Sequence, residues 1–101
     1  MDKIDKSQIP AMAAVIKGKF HPEKVILFGS YAYGTPTKAS DIDLFIIMKT
    51  DISILEQAYL IRRELPRKIP IDVIVRTPEQ VEERKENDFF IKQILNKGVY
   101  L

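Results

Sequence analysis

The apolar positions of this chain follow two different periods. From Ser7 to Phe20 they recur at Ile9, Met12, Ala13, Ile16 and Phe20, the spacing of one helix face. Ser7 stands where a cap is wanted. Pro10 falls in the first turn, where its missing N–H is harmless, and Gly18 followed by His21-Pro22 ends the helix. The period then shortens. Lys24 to Phe28 is a short apolar strand, Asp41 to Met48 reads as a second, and Pro70 to Val75 as a third, with Asp72 near its start. Between the last two, Ser53-Ile54-Leu55-Glu56 matches a capping box. Ile54, Ala58, Ile61 and Leu65 then follow at helical spacing until Pro66 stops them. Thr77-Pro78-Glu79-Gln80 opens another helix, with proline at its first position and glutamine completing a capping box. Its run from Glu79 to Glu86 has only Val81 to bury. Asn87 or Asp88 caps a last helix with the stripe Phe90, Ile91, Ile94 and Leu95, ended by Gly98. Phe89 lies off that stripe and is expected to be exposed, and Val99-Tyr100-Leu101 offers a short edge strand or a partner contact.

These elements predict an α/β fold: a small mixed sheet of three or four strands with helices mainly on one face. The short link between the first two strands suits an antiparallel pair. A chain of 101 residues suffices for one core, so residues 1–101 are expected to form a single domain.

Composition narrows the classes. Apolar residues make up 46% and charged residues 30% of the chain, as in an ordinary soluble globular protein. The 16 basic and 14 acidic residues leave a net charge of +2, too balanced to imply direct nucleic-acid binding by bulk charge. There is no cysteine, which removes disulfides, thiolate metal sites and thiol nucleophiles and is compatible with the cytoplasm. No apolar run approaches the roughly 18 residues of a membrane helix, and the N-terminus lacks an apolar signal core. Oligomeric state stays open.

Candidate chemistry collects in VILFGSYAYGTPTKASDIDLFIIM, Val25 to Met48. Asp41 and Asp43 lie two apart in a strand, so both carboxylates project to one side, roughly 7 Å apart. Like charges at that spacing raise each other's cost of ionisation, and either water or a cation must offset it. Magnesium takes carboxylate oxygens and keeps positions for water and phosphates. At the other end of the turn, Gly29 permits close backbone approach, and Ser30 supplies a hydroxyl and an N–H suited to phosphate. Gly34 and Pro36 continue the turn, and Ser40 is placed to steady the Asp41 end through a local hydrogen bond. If the third strand pairs beside the second, Asp72 joins the cluster. Three carboxylates can hold two metal ions across a triphosphate, with Asp72 the candidate to take an acceptor's proton. The acids are expected on the sheet face the helices leave open, where metal and triphosphate enter without burying bare charge.

Each feature also has a plain reading: a solvated strand edge, a polar residue after a turn, an ordinary Gly-Ser turn. Lys38 reads as a solvated loop residue, His21 as a surface residue before a proline, and Arg62, Arg63, Arg67 and Lys68 as charge that suits a helix end and solubility. What favours the chemical reading of Gly29, Ser30, Asp41, Asp43 and Asp72 is their joint occurrence in order on adjacent strands.

That ordered set, Gly29-Ser30, ten residues, SDIDL at Ser40–Leu44, then Asp72, resembles the nucleotidyltransferase superfamily that includes DNA polymerase beta. The chain's length is similar to that of its minimal prokaryotic members. The resemblance implies that Gly29 and Ser30 contact the triphosphate and that Asp41 and Asp43 bind both metal ions, with Asp72 completing the site. It also implies magnesium as cofactor, ATP as substrate and a HEPN-domain toxin as partner. Many relatives carry arginine in the turn after the serine, where this chain has Tyr31 and Tyr33, so no basic clamp is expected from the turn.

Three functions follow. The first is an enzyme moving a nucleoside monophosphate, AMP from ATP, onto a hydroxyl of a partner toxin, with the chain as antitoxin. The second is a non-catalytic antitoxin that neutralises its partner by contact, through residues such as Phe89, Tyr100 and Leu101. The third is a transferase for a small molecule or a nucleic-acid end, against which the lack of an acceptor-binding domain counts.

Overall fold

The computed structural model describes residues 6–101, so the first five residues of the expected domain lie outside the described part. The order is α1 (Gln8–Phe20), β1 (Lys24–Phe28), α2 (Ser30–Tyr33), β2 (Ile42–Ile47), α3 (Ile54–Arg62), β3 (Ile71–Arg76), α4 (Pro78–Arg84), α5 (Phe89–Lys97) and β4 (Val99–Tyr100). The four strands form one mixed sheet in the order β3-β2-β1-β4. β1 is antiparallel to β2, as the short link between them suits, and also to β4, while β2 and β3 run parallel with α3 as the crossover.

Strand alternation sorts the core into two clusters. The larger cluster holds Ile9, Met12, Ala13 and Ile16 of α1, Ile61 of α3 and Leu65 beyond it. They pack against Val25, Leu27, Ile42, Leu44, Ile46 and Val75 of the sheet. The smaller lies on the opposite face, where Val81 of α4 and Ile91 and Ile94 of α5 cover Ile26, Phe28, Phe45 and Ile47. The helical layer on the main face is therefore α1 and α3, and α4 and α5 form a second, thinner cover.

The caps explain where the helices begin. Ser53 Oγ accepts from the Glu56 N–H at 3.1 Å. Thr77 and Gln80 close a reciprocal box, with Gln80 N–H donating to Thr77 Oγ1 at 3.1 Å and Thr77 N–H donating to Gln80 Oε1 at 2.9 Å. Of the two candidates at α5, Asp88 is the cap: its Oδ1 accepts from Phe90 and Ile91 N–H. Ser7 differs from expectation. It sits at the N-cap position of α1 in helical conformation and makes no side-chain capping bond, whereas a cap needs extended φ/ψ. α3 also stops sooner than its apolar pattern suggests. Glu64 and Leu65 N–H return to Ile61 and Arg62 carbonyls in tighter turns, because the residue before Pro66 is disfavoured in α conformation.

One buried polar side chain had no sequence signal. Gln57 of α3 faces inward and accepts a hydrogen bond from Thr50 Oγ1 at 2.8 Å, which ties the start of α3 to the end of β2. No helix among the described residues is long and apolar enough to cross a membrane.

Candidate functional site

β1 ends at Phe28 and the chain turns at once. Gly29 takes φ 75° and ψ −157°, a backbone region that only glycine enters without strain. A second constraint acts on the same atom: a Cβ built on Gly29 would collide with Oδ2 of Asp43. The Gly29 carbonyl accepts from the Ala32 and Tyr33 N–H groups, both at 3.0 Å, and so winds the single turn of α2. The N–H groups of Ser30 and Tyr31 open that turn, where no intrahelical acceptor exists. Tyr31 packs against the larger core cluster while Tyr33 is exposed, so the turn offers no basic side chain between Ser30 and Tyr33.

Across the sheet, Asp43 is the Cα partner of Phe28 on one side and of Asp72 on the other. The parallel β2–β3 register therefore sets the two carboxylates on adjacent strands of one face. Asp43 is half-buried and Asp72 exposed. Asp41 does not lie in the strand as expected: β2 begins at Ile42, whose N–H donates to the Pro70 carbonyl at 2.9 Å. Asp41 is exposed one residue earlier, yet its charge still reaches Asp43. The Asp43 carboxyl is pushed up from 3.8 to about 6, first by burial, then by the charge of Asp72, then by that of Asp41. Asp72 and Asp41 thus both act on Asp43.

The sheet face holding them also differs from expectation. Ile42, Leu44 and Ile46 fill the larger cluster, so alternation sends Asp43, Phe45 and Ile47 to the other face. That face is not left open by the helices but carries α4 and α5. The acids lie at its margin, where Asp41 and Asp72 meet solvent. The neighbouring ring of Phe28 meets Phe90 of α5 edge-on at 5.5 Å and Phe45 at 6.4 Å, which closes the apolar layer beside Asp43.

Ser40 is half-buried just before the acids, but its hydroxyl is used within the loop. Ser40 Oγ accepts from Thr37 N–H at 2.8 Å, and Ser40 N–H donates to the Thr37 carbonyl at 3.1 Å. The local bond expected of Ser40 therefore shapes residues 37–40 rather than gripping Asp41. Lys38 and His21 are exposed, and His21 caps α1 in the left-handed region at φ 53°. Among the described residues, no three His, Cys, Asp or Glu side chains stand as a ready ion-holding group.

Arg62 has a part that sequence reasoning missed. Its guanidinium donates to the Pro66 carbonyl at 3.1 Å and to the Ile69 carbonyl at 2.8 Å. It thereby clamps the segment that delivers Asp72. The available signal was an arginine four residues before a helix-stopping proline, with a short loop to follow.

Known proteins resemble this chain over most of its length. A family model described as a nucleotidyltransferase domain matches residues 12–101. The putative protein adenylyltransferase MJ0604 of Methanocaldococcus jannaschii is 31% identical over 97 residues, 96% of this chain and 93% of its own. A second protein of that organism, the putative protein adenylyltransferase MJ0141, is 27% identical over 88 residues, 87% of this chain and 85% of its own. Among solved structures, a putative nucleotidyltransferase from Sulfolobus solfataricus superposes with a TM-score of 0.61 at 22% identity. The match covers 99% of this chain and 89% of that one, which bears on the fold.

Proposed function

Because this chain belongs to the nucleotidyltransferase domain family, we propose that it is a magnesium-dependent protein adenylyltransferase, moving AMP from ATP onto a hydroxyl of a partner protein. The observation that carries this reading is the Asp43–Asp72 register with Asp41 alongside. Three acids lie along one sheet margin next to a glycine turn that brings backbone N–H groups close. The names of the two Methanocaldococcus jannaschii relatives support a protein as acceptor.

The donor set fits a hard divalent cation. All three side chains offer oxygen, and the repulsion that pushes Asp43 up is what a cation relieves. Asp41, Asp43 and Asp72 would hold it. When bound, magnesium neutralises phosphate charge and acidifies a coordinated hydroxyl.

The chain's own groups divide the rest of the task. Gly29 and Ser30 receive the phosphates through backbone N–H groups and the serine hydroxyl. Ser40 holds the 37–40 loop at the nucleotide's edge. Asp72, the most accessible strand acid, accepts the acceptor hydroxyl's proton. The hydroxyl oxygen forms its bond to the α-phosphorus, the bond from that phosphorus to the bridging oxygen breaks, and pyrophosphate leaves.

The partner implied by the family resemblance is a HEPN-domain toxin, which makes this chain an antitoxin. The test supplies α-phosphate-labelled ATP and magnesium to the chain with and without a co-expressed HEPN protein, using Asp41→Asn/Asp43→Asn as control. Label on the partner only with intact acids is the expected result. Toxin protection that survives loss of the acids, with no label, would replace transfer by neutralisation through contact.

A further inference from the structure

Resting on the protein-acceptor reading, we infer that the outer face of α3 and the segment after it dock the acceptor, and that the acceptor presents acidic side chains beside apolar ones. Leu55 and Tyr59 on α3 are 79% and 65% exposed, and Ile52 just before the helix is partly exposed. Leu55, Tyr59 and Arg63 follow at four-residue spacing and form one stripe, turned away from the buried Ile61 and Gln57. Tyr59, Arg62, Arg63 and Arg67 line an open groove of about 500 Å³ at the end of that stripe. Arg62 is committed to two carbonyls. Arg63 and Arg67 are exposed, and among the described residues neither pairs with an acid.

The groove's place in the fold connects it to the chemistry. α3 is the crossover between parallel strands, so its C-terminal end lies where β3 begins. Arg62 binds the Ile69 carbonyl, three residues before Asp72. The basic end of the stripe therefore opens beside edge strand β3, at the sheet end that holds the acids. Asp72 faces the side of the sheet away from α3, but β3 is the edge strand, so a protein seated along α3 would bring its hydroxyl to Asp72 around that edge.

The composition selects the occupant. Arginine forks match carboxylates in two-point contacts, and tyrosine, arginine and large apolar groups are the residues that protein interfaces concentrate. An arginine in the last helical turn is explained by the helix dipole, but an exposed Leu–Tyr stripe leading to it is not. Ile52 and Leu55 give RNA phosphates nothing, and the net charge of +2 is small for an electrostatic RNA binder.

The test uses random copolymers as acceptors, glutamate/tyrosine against lysine/tyrosine, with labelled ATP. Binding of the fluorescent glutamate/tyrosine copolymer is measured in parallel by anisotropy, which needs no turnover. Arg63→Glu/Arg67→Glu is expected to raise the copolymer KM about tenfold or more and to weaken its binding equally, with ATP KM unchanged and Tm lowered by only a few degrees. Leu55→Ser should weaken binding without altering its salt dependence. Equal use of the two copolymers, or charge reversal without effect on binding, would overturn the proposal. So would polyuridylate that displaces the copolymer and binds more tightly at the same salt. Arginine-dependent binding with no transfer to any acceptor would leave the docking surface standing and sink the transferase reading alone.

Discussion

The α-carbon of Gly29, one residue past the end of β1, lies against the carboxylate of Asp43 in β2, with no room between them for a methyl group. The turn and the acid strand are thereby locked in one relative position. Glycine is required here twice, by a φ of 75° and by the approach of Asp43. Gly29→Ala should destabilise the chain by roughly 2 kcal/mol and abolish transfer, because Asp43 must move to make room. Urea unfolding together with labelled-ATP turnover checks both. A stable, active Gly29→Ala protein would show that the turn tolerates displacement.

Asp43→Asn should lose transfer yet gain stability at neutral pH. A carboxyl whose folded pKa is raised from 3.8 to about 6 holds its proton more tightly in the folded chain. Its contribution to stability is complete below pH 3.8 and is lost as the pH rises through 6. Asparagine avoids that loss. A two-unit shift on a buried group corresponds to about 3 kcal/mol, and solvent screening of a half-buried one reduces the expected gain to about 1. Thermal melts at pH 7.5 should put the variant several degrees higher, and the difference should shrink towards pH 4.

Magnesium should raise Tm in the wild-type chain at pH 7.5 and much less at pH 5.5. Protons occupy Asp43 as the pH falls below about 6 and compete with the cation. At a hundredfold excess over Kd the added stability is about 2.7 kcal/mol. Asp41→Asn/Asp43→Asn should show no magnesium effect at either pH. A shift retained in that variant would move the ion elsewhere.

Arg62→Ala removes two hydrogen bonds to the segment before Asp72 and should cost roughly 1–2 kcal/mol. It should lower kcat more than it raises the KM for ATP, since it loosens the approach to Asp72 and leaves the Gly29 turn intact. Arg62→Lys should not rescue it, because one ammonium cannot reproduce the two-pronged reach. Full rescue by lysine would make the effect one of charge alone.

Much of this arrangement was legible because it is local. The strands at Lys24–Phe28, Ile42–Ile47 and Ile71–Arg76 announce themselves by apolar, β-branched content, and the boxes at Ser53 and Thr77 by residues three apart. Gly29, Asp43 and Asp72 could be singled out in the same way, and the sheet brings all three together. What stayed hidden depends on long-range strand pairing or on the path a loop takes. Whether Asp43 faces α4 and α5 is decided by which alternate set of β2 fills the larger core. The hydroxyl of Ser40 had several neighbours within reach, and only the folded 37–40 loop selects Thr37. Arg62 looked like a residue complementing the helix dipole because its acceptors, Pro66 and Ile69 carbonyls, become one target only after the chain has turned.

The parallel pairing of β2 with β3 has a consequence for the order in which the molecule is made. β1 and β2 can zip through a short link, but Asp72 meets Asp43 only after α3 has wound and the crossover has closed over the sheet. Such non-local closure is slow compared with hairpin formation. A chain stalled with β1 and β2 paired and β3 still loose would carry the Gly29 turn and two acids without the third. Nucleotide-dependent resistance to proteolysis during refolding should therefore arrive with the last kinetic phase. It would report completion of the fold rather than its beginning.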